Sequence, residues 1–165
     1  MSDERLEAKV GDLLLGKGWT VGTAESCTGG LVLHRLTNVA GSSAYVLGGV
    51  VAYSNAIKQS VLRVRHGTLI AYGAVSEQVA LEMAQGARAL LSVDVAVSIT
   101  GIAGPGGGTP EKPVGLTYIA LVGPNNLQLV ERQVWDGDRE ANKAASAEAA
   151  LLLLQRALAN GGAAR

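Results

Sequence analysis

The sequence has few of the residues that cross-link a chain or hold a metal ion. Its 165 residues include one cysteine, Cys27, and two histidines, His34 and His66. One cysteine cannot form an internal disulfide, and neither histidine stands at metal-ligand spacing from another donor. We therefore expect a protein that needs no disulfide, no metal and no cofactor.

An excess of charge of either sign is also missing. Fourteen basic and fourteen acidic residues cancel, and no basic stripe is present that would neutralise a nucleic-acid backbone. No apolar run reaches the roughly 20 residues that cross a bilayer, and the charged start MSDERLEAKV differs from a secretory signal. We expect a cytoplasmic protein with no nucleic-acid or membrane partner.

Aromatic residues are scarce, since they make up 4% of the chain and phenylalanine is absent. Hydrophobic residues nevertheless reach 48%, so the core must consist mainly of alanine, valine, leucine and isoleucine. The length fits a single domain over residues 1–165. The 22 glycines occur largely in clusters, which is typical of loops whose main chain approaches a ligand.

Strand-like and helix-like segments alternate along most of the chain. This pattern predicts a three-layer α/β/α domain in which helices cover both faces of a mixed sheet, and a closing hairpin adds an antiparallel strand. The expected strands are residues 19–25, 45–54, 93–100, 114–123 and 127–135. The expected helices are residues 3–16, 30–39, 55–64, 66–75, 77–91 and 137–159.

The first strand ends in TAESCTGG, which carries more polar side chains than a strand exit needs. Ser26 is a candidate nucleophile, and the amides of Cys27, Thr28, Gly29 and Gly30 are candidate donors to an oxyanion or a phosphate. The alternative is that Ser26 or Thr28 only caps the next helix. Two consecutive glycines weaken a helix start, which favours close approach of the main chain to a ligand.

Cys27 is the rival nucleophile, because a thiol at a helix N-terminus is activated. A cysteine nucleophile normally works with a histidine, and neither His34 nor His66 has a suitable sequence context. We interpret Cys27 as a packing residue and keep a Cys27-dependent amidase as an alternative.

A serine nucleophile needs a base, and the stretch VVAYSNAIK supplies Tyr53 and Lys58. Lysine acts as a base only when neutral. Lowering its pKa from about 10.4 to about 7.5 corresponds to roughly 4 kcal/mol. Burial could provide this, and the tyrosine hydroxyl could hold the amine in line. The alternative is that Lys58 lies on a solvated helix surface. Glu25 could orient the base, bind substrate or point to water.

Two later stretches fit a ligand site. The loop SITGIAGPGGGTPEKPVG can surround a ligand with main-chain amides, although it matches neither a Walker loop nor a dinucleotide-binding turn. In GDRE, Asp138 is an ordinary helix N-cap, whereas the Arg139 cation opposes the helix dipole unless an anion binds there.

Together these stretches resemble the CinA C-terminal domain family, the nicotinamide-nucleotide amidases. The matching pieces occur in family order between residues 23 and 139: TAESCTGG, AGSSAYVLGGVVAYSNAIK, GAVSEQVALEMAQGAR, SITGIAGPGGGTPEKPVG and GDR. Five motifs in register make the resemblance specific. Family members occur alone or fused to a larger domain, and this chain resembles the stand-alone amidase.

The resemblance implies a mixed, mostly parallel five-stranded sheet and the conversion of nicotinamide mononucleotide and water to nicotinate mononucleotide and ammonia. It implies Ser26 as nucleophile with Tyr53 and Lys58 beside it. It places Thr100, Gly101 and Arg139 on the substrate side, and the Thr100 hydroxyl could help the amides after Ser26 to hold the oxyanion. A non-catalytic nucleotide-binding or regulatory module remains the alternative. The Leu-rich C-terminal helix leads us to expect a homo-oligomer.

Overall fold

One twisted sheet carries apolar side chains on both faces, as the strand patterns predict. A computed structural model describes residues 3–160. The strands are β1 (Val21–Glu25), β2 (Val46–Val51), β3 (Val95–Gly101), β4 (Leu116–Gly123) and β5 (Leu127–Val134), in the spatial order β2-β1-β3-β4-β5. β1 pairs in parallel with β2 and β3, whereas the β3–β4 and β4–β5 pairs are antiparallel. Four of the five strands therefore run in one direction, and the predicted mixed sheet is confirmed.

The helices also fall where the sequence predicts them, with shifted ends. They are α1 (Leu6–Lys17), α2 (Leu31–Thr37), α3 (Asn55–Ser60), α4 (His66–Tyr72), α5 (Glu77–Leu91) and α6 (Arg139–Ala159), and a 3-10 turn spans Ser42–Ala44. The predicted N-cap at Asp138 is confirmed, because its side chain accepts from the Ala141 amide, and Ser76 caps α5 by accepting from the Val79 amide. Each such cap stabilises a helix by about 1 kcal/mol.

Alternate residues of β3 divide between two cores, which makes the domain three-layered. Val95, Val97 and Ile99 pack with side chains of α1, α2 and α6. Ala96 faces the opposite way, into a core built largely from α5. The predicted α/β/α arrangement is thus confirmed by a helical layer on each face of the sheet.

The leucines of α6 are mostly used inside the chain. Leu151, Leu153 and Leu154 are buried in the core, and of this run Leu152 alone is exposed, at 40%. The leucine content of α6 is therefore explained by packing against the sheet and α1, and homo-oligomerisation stays a prediction. Among the described residues, no helix combines the length and the apolar character needed to cross a membrane.

The parallel strands bring three chain segments to one edge of the sheet. β1, β2 and β3 all end there, and β5 ends there before α6 begins. Open α/β sheets collect their ligands at the carboxyl ends of parallel strands. The candidate residues of the sequence meet at this edge.

Candidate active site

Ser26 is held directly beyond the end of β1. Its amide donates to the Ile99 carbonyl of the neighbouring strand at 3.0 Å, and its carbonyl accepts from the Gly29 amide at 3.0 Å. The side chain is 8% exposed. The main chain at Ser26 is thus fixed on both sides while its hydroxyl stays accessible from one side.

Lys58 reaches Ser26 from the segment that follows β2. Ser54 caps α3 by accepting from the Ile57 amide at 3.1 Å, and this orients the short helix that carries Lys58. The Lys58 Nζ lies 3.1 Å from the Ser26 Oγ. The side chain is 2% exposed, so the solvated-surface alternative for Lys58 is wrong.

The surroundings of the Lys58 amine favour its neutral form. Burial lowers the pKa of Lys58 below the ordinary value of 10.5. The remaining hydrogen-bond partners of Nζ are main-chain carbonyls, Ala52 at 2.9 Å and Tyr53 at 3.2 Å. A neutral amine has two hydrogens and one lone pair. The two carbonyls can take the hydrogens, which leaves the lone pair for the Ser26 hydroxyl.

Glu25 neither points to water nor faces the cavity. Its side chain is 1% exposed, and its carboxylate accepts from the Val32 amide at 2.9 Å and the Leu33 amide at 3.1 Å. Glu25 therefore caps α2 from a position six residues before the helix. No local capping pattern spans that distance, so the sequence did not reveal this role.

The two glycines of TAESCTGG are required by backbone conformation. Gly29 has φ 61° and Gly30 has φ 102°, a region that residues with a Cβ rarely adopt. The Gly29 amide is used by the Ser26 carbonyl. Within residues 3–160, the amides of Cys27, Thr28 and Gly30 have no hydrogen-bond acceptor, so three of the four predicted donors are free.

Cys27 packs under the site as a neutral thiol. It is 7% exposed, and burial raises its pKa to about 11. An added Cβ at Gly101 would lie 3.1 Å from the Cys27 sulfur and 2.7 Å from the Thr117 hydroxyl. Close packing against these two residues accounts for the glycine at position 101.

Tyr53 and Arg139 meet at the mouth of the site. Tyr53 is 61% exposed, and its hydroxyl accepts from the Arg139 Nη2 at 3.0 Å. The Arg139 Nη1 donates to the Gly104 carbonyl at 2.7 Å. Tyr53 contacts Lys58 through its main-chain carbonyl, so its hydroxyl does not hold the amine as the sequence had led us to expect.

Thr100 and the loop after it form the far wall. The Thr100 hydroxyl donates to the Ala74 carbonyl at 2.8 Å. Asn142 of α6 is 2% exposed and donates to the Ala103 carbonyl at 3.0 Å, which fixes the loop. We did not single out Asn142 from the sequence, although the polar pair Asn142 and Ser146 on an Ala-rich helix was a usable signal.

These groups enclose a cavity of about 280 Å³. Its lining comprises Ser26, Cys27, Tyr53, Asn55, Lys58, Ala74, Val75, Thr100, Gly101, Ile102, Ala103, Gly104, Gly106, Gly107 and Arg139. In the part of the chain that the structure describes, no cluster of three or more histidine, cysteine, aspartate and glutamate side chains is placed to hold a metal ion. The polar groups in the cavity include the hydroxyls of Ser26, Thr100 and Tyr53, a buried amine, main-chain amides and a guanidinium group.

Residues 3–158 match the family described as the CinA C-terminal domain. The chain belongs to this family. The crystal structure of a CinA superfamily protein from Klebsiella pneumoniae superposes with a TM-score of 0.90 at 37% identity, covering 94% of this chain and 96% of that one. CihA of Agrobacterium tumefaciens, a competence/damage inducible protein, gives 0.88 at 42% identity over 96% of this chain and 98% of that one.

CinA relatives differ in how much of their length this chain matches. It is 51% identical over 157 residues to a CinA-like protein of Syntrophobacter fumaroxidans, which is 95% of this chain and 37% of that protein. The chain thus spans little more than a third of several curated relatives. It is 48% identical over 161 residues to the nicotinamide-nucleotide amidohydrolase PncC of Enterobacter agglomerans, which is 96% of either chain.

Proposed function

We propose that this protein hydrolyses the carboxamide of nicotinamide mononucleotide, with Ser26 as nucleophile and Lys58 as base. The 3.1 Å contact between the buried Lys58 amine and the Ser26 hydroxyl carries the proposal. The substrate is supported by the relative from Enterobacter agglomerans, which is named as a nicotinamide-nucleotide amidohydrolase and matches over nearly its whole length.

In the first step, neutral Lys58 takes the proton of Ser26, and the Ser26 oxygen attacks the carboxamide carbon. The lowered pKa of Lys58 increases the neutral fraction of this amine near neutral pH. Its remaining hydrogens stay on the carbonyls of Ala52 and Tyr53, which direct the lone pair toward the serine.

The free amides of Cys27 and Thr28 are suited to stabilise the tetrahedral oxyanion. One such donor typically contributes roughly 3–4 kcal/mol to the transition state. The protonated Lys58 then gives its proton to the leaving nitrogen, and the carbon–nitrogen bond breaks to release ammonia. Lys58 next deprotonates a water molecule, which attacks the ester carbon. The bond between this carbon and the Ser26 oxygen breaks, Lys58 returns the proton to that oxygen, and nicotinate mononucleotide leaves.

Arg139 is suited to bind the substrate phosphate. Two of its nitrogens are held by the Gly104 carbonyl and the Tyr53 hydroxyl, so the planar group is oriented at the mouth and retains further donors. The Thr100 hydroxyl uses its hydrogen on Ala74 and can accept from the carboxamide nitrogen. This assigns Thr100 to recognition of the amide and not to donation to the oxyanion.

Serine is favoured over cysteine as the nucleophile by the state of the thiol. Because the pKa of Cys27 is raised to about 11, very little thiolate exists near neutral pH. Cys27→Ala should keep ammonia release within about threefold of the wild type, because a neutral packing thiol contributes little to the chemistry.

Ammonia release from nicotinamide mononucleotide tests the proposal. Ser26→Ala should lower kcat by about 10⁴-fold or more while leaving the melting temperature near the wild-type value. A Ser26→Ala protein that stays active would end the serine mechanism. A wild-type protein whose melting temperature rises with the nucleotide, with no ammonia released, would instead be the non-catalytic nucleotide-binding module.

A further inference from the structure

The mechanism uses no part of the Glu25 side chain, although this residue precedes the nucleophile. We propose that Glu25 is a positioning residue, whose buried carboxylate fixes the turn that presents Ser26 and the free amides after it. This inference rests on the proposed amidase function and assigns a role within the same site. It concerns the geometry of the turn and not a direct contact with substrate.

Four hydrogen bonds converge on the Glu25 carboxylate. Oε1 accepts from the Thr28 hydroxyl at 2.7 Å and the Val32 amide at 2.9 Å. Oε2 accepts from the Thr23 hydroxyl at 3.2 Å and the Leu33 amide at 3.1 Å. A single group therefore ties the end of β1, the turn and the start of α2 together.

None of these four partners is a cation, and this protects the neutral state of Lys58. The Lys58 amine bonds to Ser26 and to two main-chain carbonyls, so the carboxylate next to Ser26 in sequence does not pair with it. A direct ion pair would favour the charged amine and remove the base. Bonding to the α2 amides turns the negative charge of Glu25 away from the reaction.

The bond to Thr28 connects the carboxylate to the catalytic groups. Thr28 is 2% exposed, lies two residues after Ser26 and carries one of the three free amides. Its hydroxyl is held by Glu25, so the orientation of its peptide group depends on that contact. Because a free amide acts on the oxyanion and not on the bound substrate, loss of this contact should reduce kcat with little change in KM.

Two kinds of variant test the inference. Glu25→Gln replaces one acceptor oxygen by a donor, so it cannot satisfy all four partners. Thr28→Val removes the hydroxyl at nearly constant shape, and Thr28→Ser is the matched control that keeps it. For each folded variant we would measure kcat and KM with nicotinamide mononucleotide, the melting temperature and the rate at which a fluorophosphonate labels Ser26.

Glu25→Gln should lower kcat by about tenfold to a hundredfold, since displacements below 1 Å around a nucleophile have effects of this size. Thr28→Val should lower it about tenfold, Thr28→Ser should stay within about twofold of the wild type, and KM should change less than about threefold in all of them. Ser26 labelling should slow in parallel with kcat.

Normal kcat in folded Glu25→Gln, or equal losses in Thr28→Val and Thr28→Ser, would overturn the inference. If Glu25→Gln does not fold, the comparison of Thr28→Val with Thr28→Ser tests the inference. The labelling rates separate failure of the Glu25 inference from failure of the proposed amidase function. A wild type that reacts with the fluorophosphonate but releases no ammonia would disprove the substrate, and the labelling rates of the variants would still judge Glu25. A wild type whose Ser26 is not labelled overturns both.

Discussion

The cavity has a basic side chain on each of two walls, and the two differ in burial. Lys58 on α3 is 2% exposed and bonds to main-chain carbonyls and a hydroxyl, and its pKa is lowered by desolvation. Arg139 at the start of α6 is exposed and lies at the mouth, where it bonds to Gly104 and Tyr53. Neither basic group has a carboxylate among these hydrogen-bond partners.

The difference shows how burial decides what a basic side chain can do. A lysine can lose its proton when burial makes the ammonium costly, whereas an arginine keeps its charge in every protein environment. The buried wall is therefore suited to move a proton, and the exposed wall is suited to hold an anion.

Replacing Lys58 should abolish hydrolysis of the carboxamide. Lys58→Met should lower kcat for ammonia release by about 10⁴-fold or more, because Ser26 loses its base. Lys58→Arg keeps a charge but cannot act as a base at neutral pH, so it should be similarly inactive. The double variant Ser26→Ala/Lys58→Met should be no worse than either single one. A Lys58→Arg protein with substantial activity would show that charge and not proton transfer matters.

Replacing the exposed cation should weaken binding. Arg139→Gln should raise KM for nicotinamide mononucleotide by about tenfold to a hundredfold, because a charge-assisted contact with phosphate is worth about 1.5–3 kcal/mol. The riboside, which lacks the phosphate, should be affected much less. Arg132→Gln, at an exposed cation on β5, is the matched control. Equal losses with the nucleotide and the riboside would contradict a phosphate role.

The lowered pKa of Lys58 should also make the free energy of unfolding depend on pH. A folded-state pKa below 10.5 means that the unfolded chain binds more protons at position 58 between those two values. The free energy of unfolding of the wild type should therefore rise with pH in that window relative to Lys58→Met, by up to about 1.4 kcal/mol per unit of pKa shift. Urea unfolding of both proteins between pH 7 and pH 10.5 measures this. A constant difference would mean that the pKa is not lowered.

Removing the buried Tyr45 hydroxyl, which lies away from the site, should have a smaller effect on the free energy of unfolding. Tyr45 is 2% exposed, and its hydroxyl has no hydrogen-bond partner in residues 3–160. Tyr45→Phe should stabilise the protein by about 1 kcal/mol, since an unpaired buried hydroxyl carries a desolvation cost. Urea unfolding at neutral pH, with kcat as the control for an intact site, would show this. A clear loss of stability would indicate an undetected partner for the hydroxyl.

Most of the fold was predictable, because its signals are local. The helices with side-chain caps begin at or near their predicted positions: α5 begins at Glu77 as predicted, and α6 begins at Arg139, two residues after its predicted start. Alternating valines and an isoleucine predict β3. The alternation of strand-like and helix-like segments, with a closing hairpin, predicts the mixed sheet. Boundaries without a cap were less accurate: α1 begins at Leu6 and not at Asp3.

The sequence predicted which residues form the site better than it predicted their contacts. The sequence predicted Ser26 and Lys58 as partners, but the burial of Lys58 depends on the tertiary contacts of its amine with Ser26 and with the carbonyls of Ala52 and Tyr53. The bonds of Glu25 to α2 and of Thr100 to Ala74 join residues that share no periodic pattern. Such contacts are set by tertiary packing, and no local rule predicts them.

Direct titration of the Lys58 amine tests the central claim. In protein labelled with ¹³C at the lysine ε carbon, the Lys58 signal can be assigned from its absence in Lys58→Met. The account predicts that this signal titrates with a pKa clearly below 10.5, and that Ser26 becomes labelled by a fluorophosphonate over the same pH range. A Lys58 signal that titrates at 10.5 or above would contradict a neutral lysine base and, with it, the proposed mechanism.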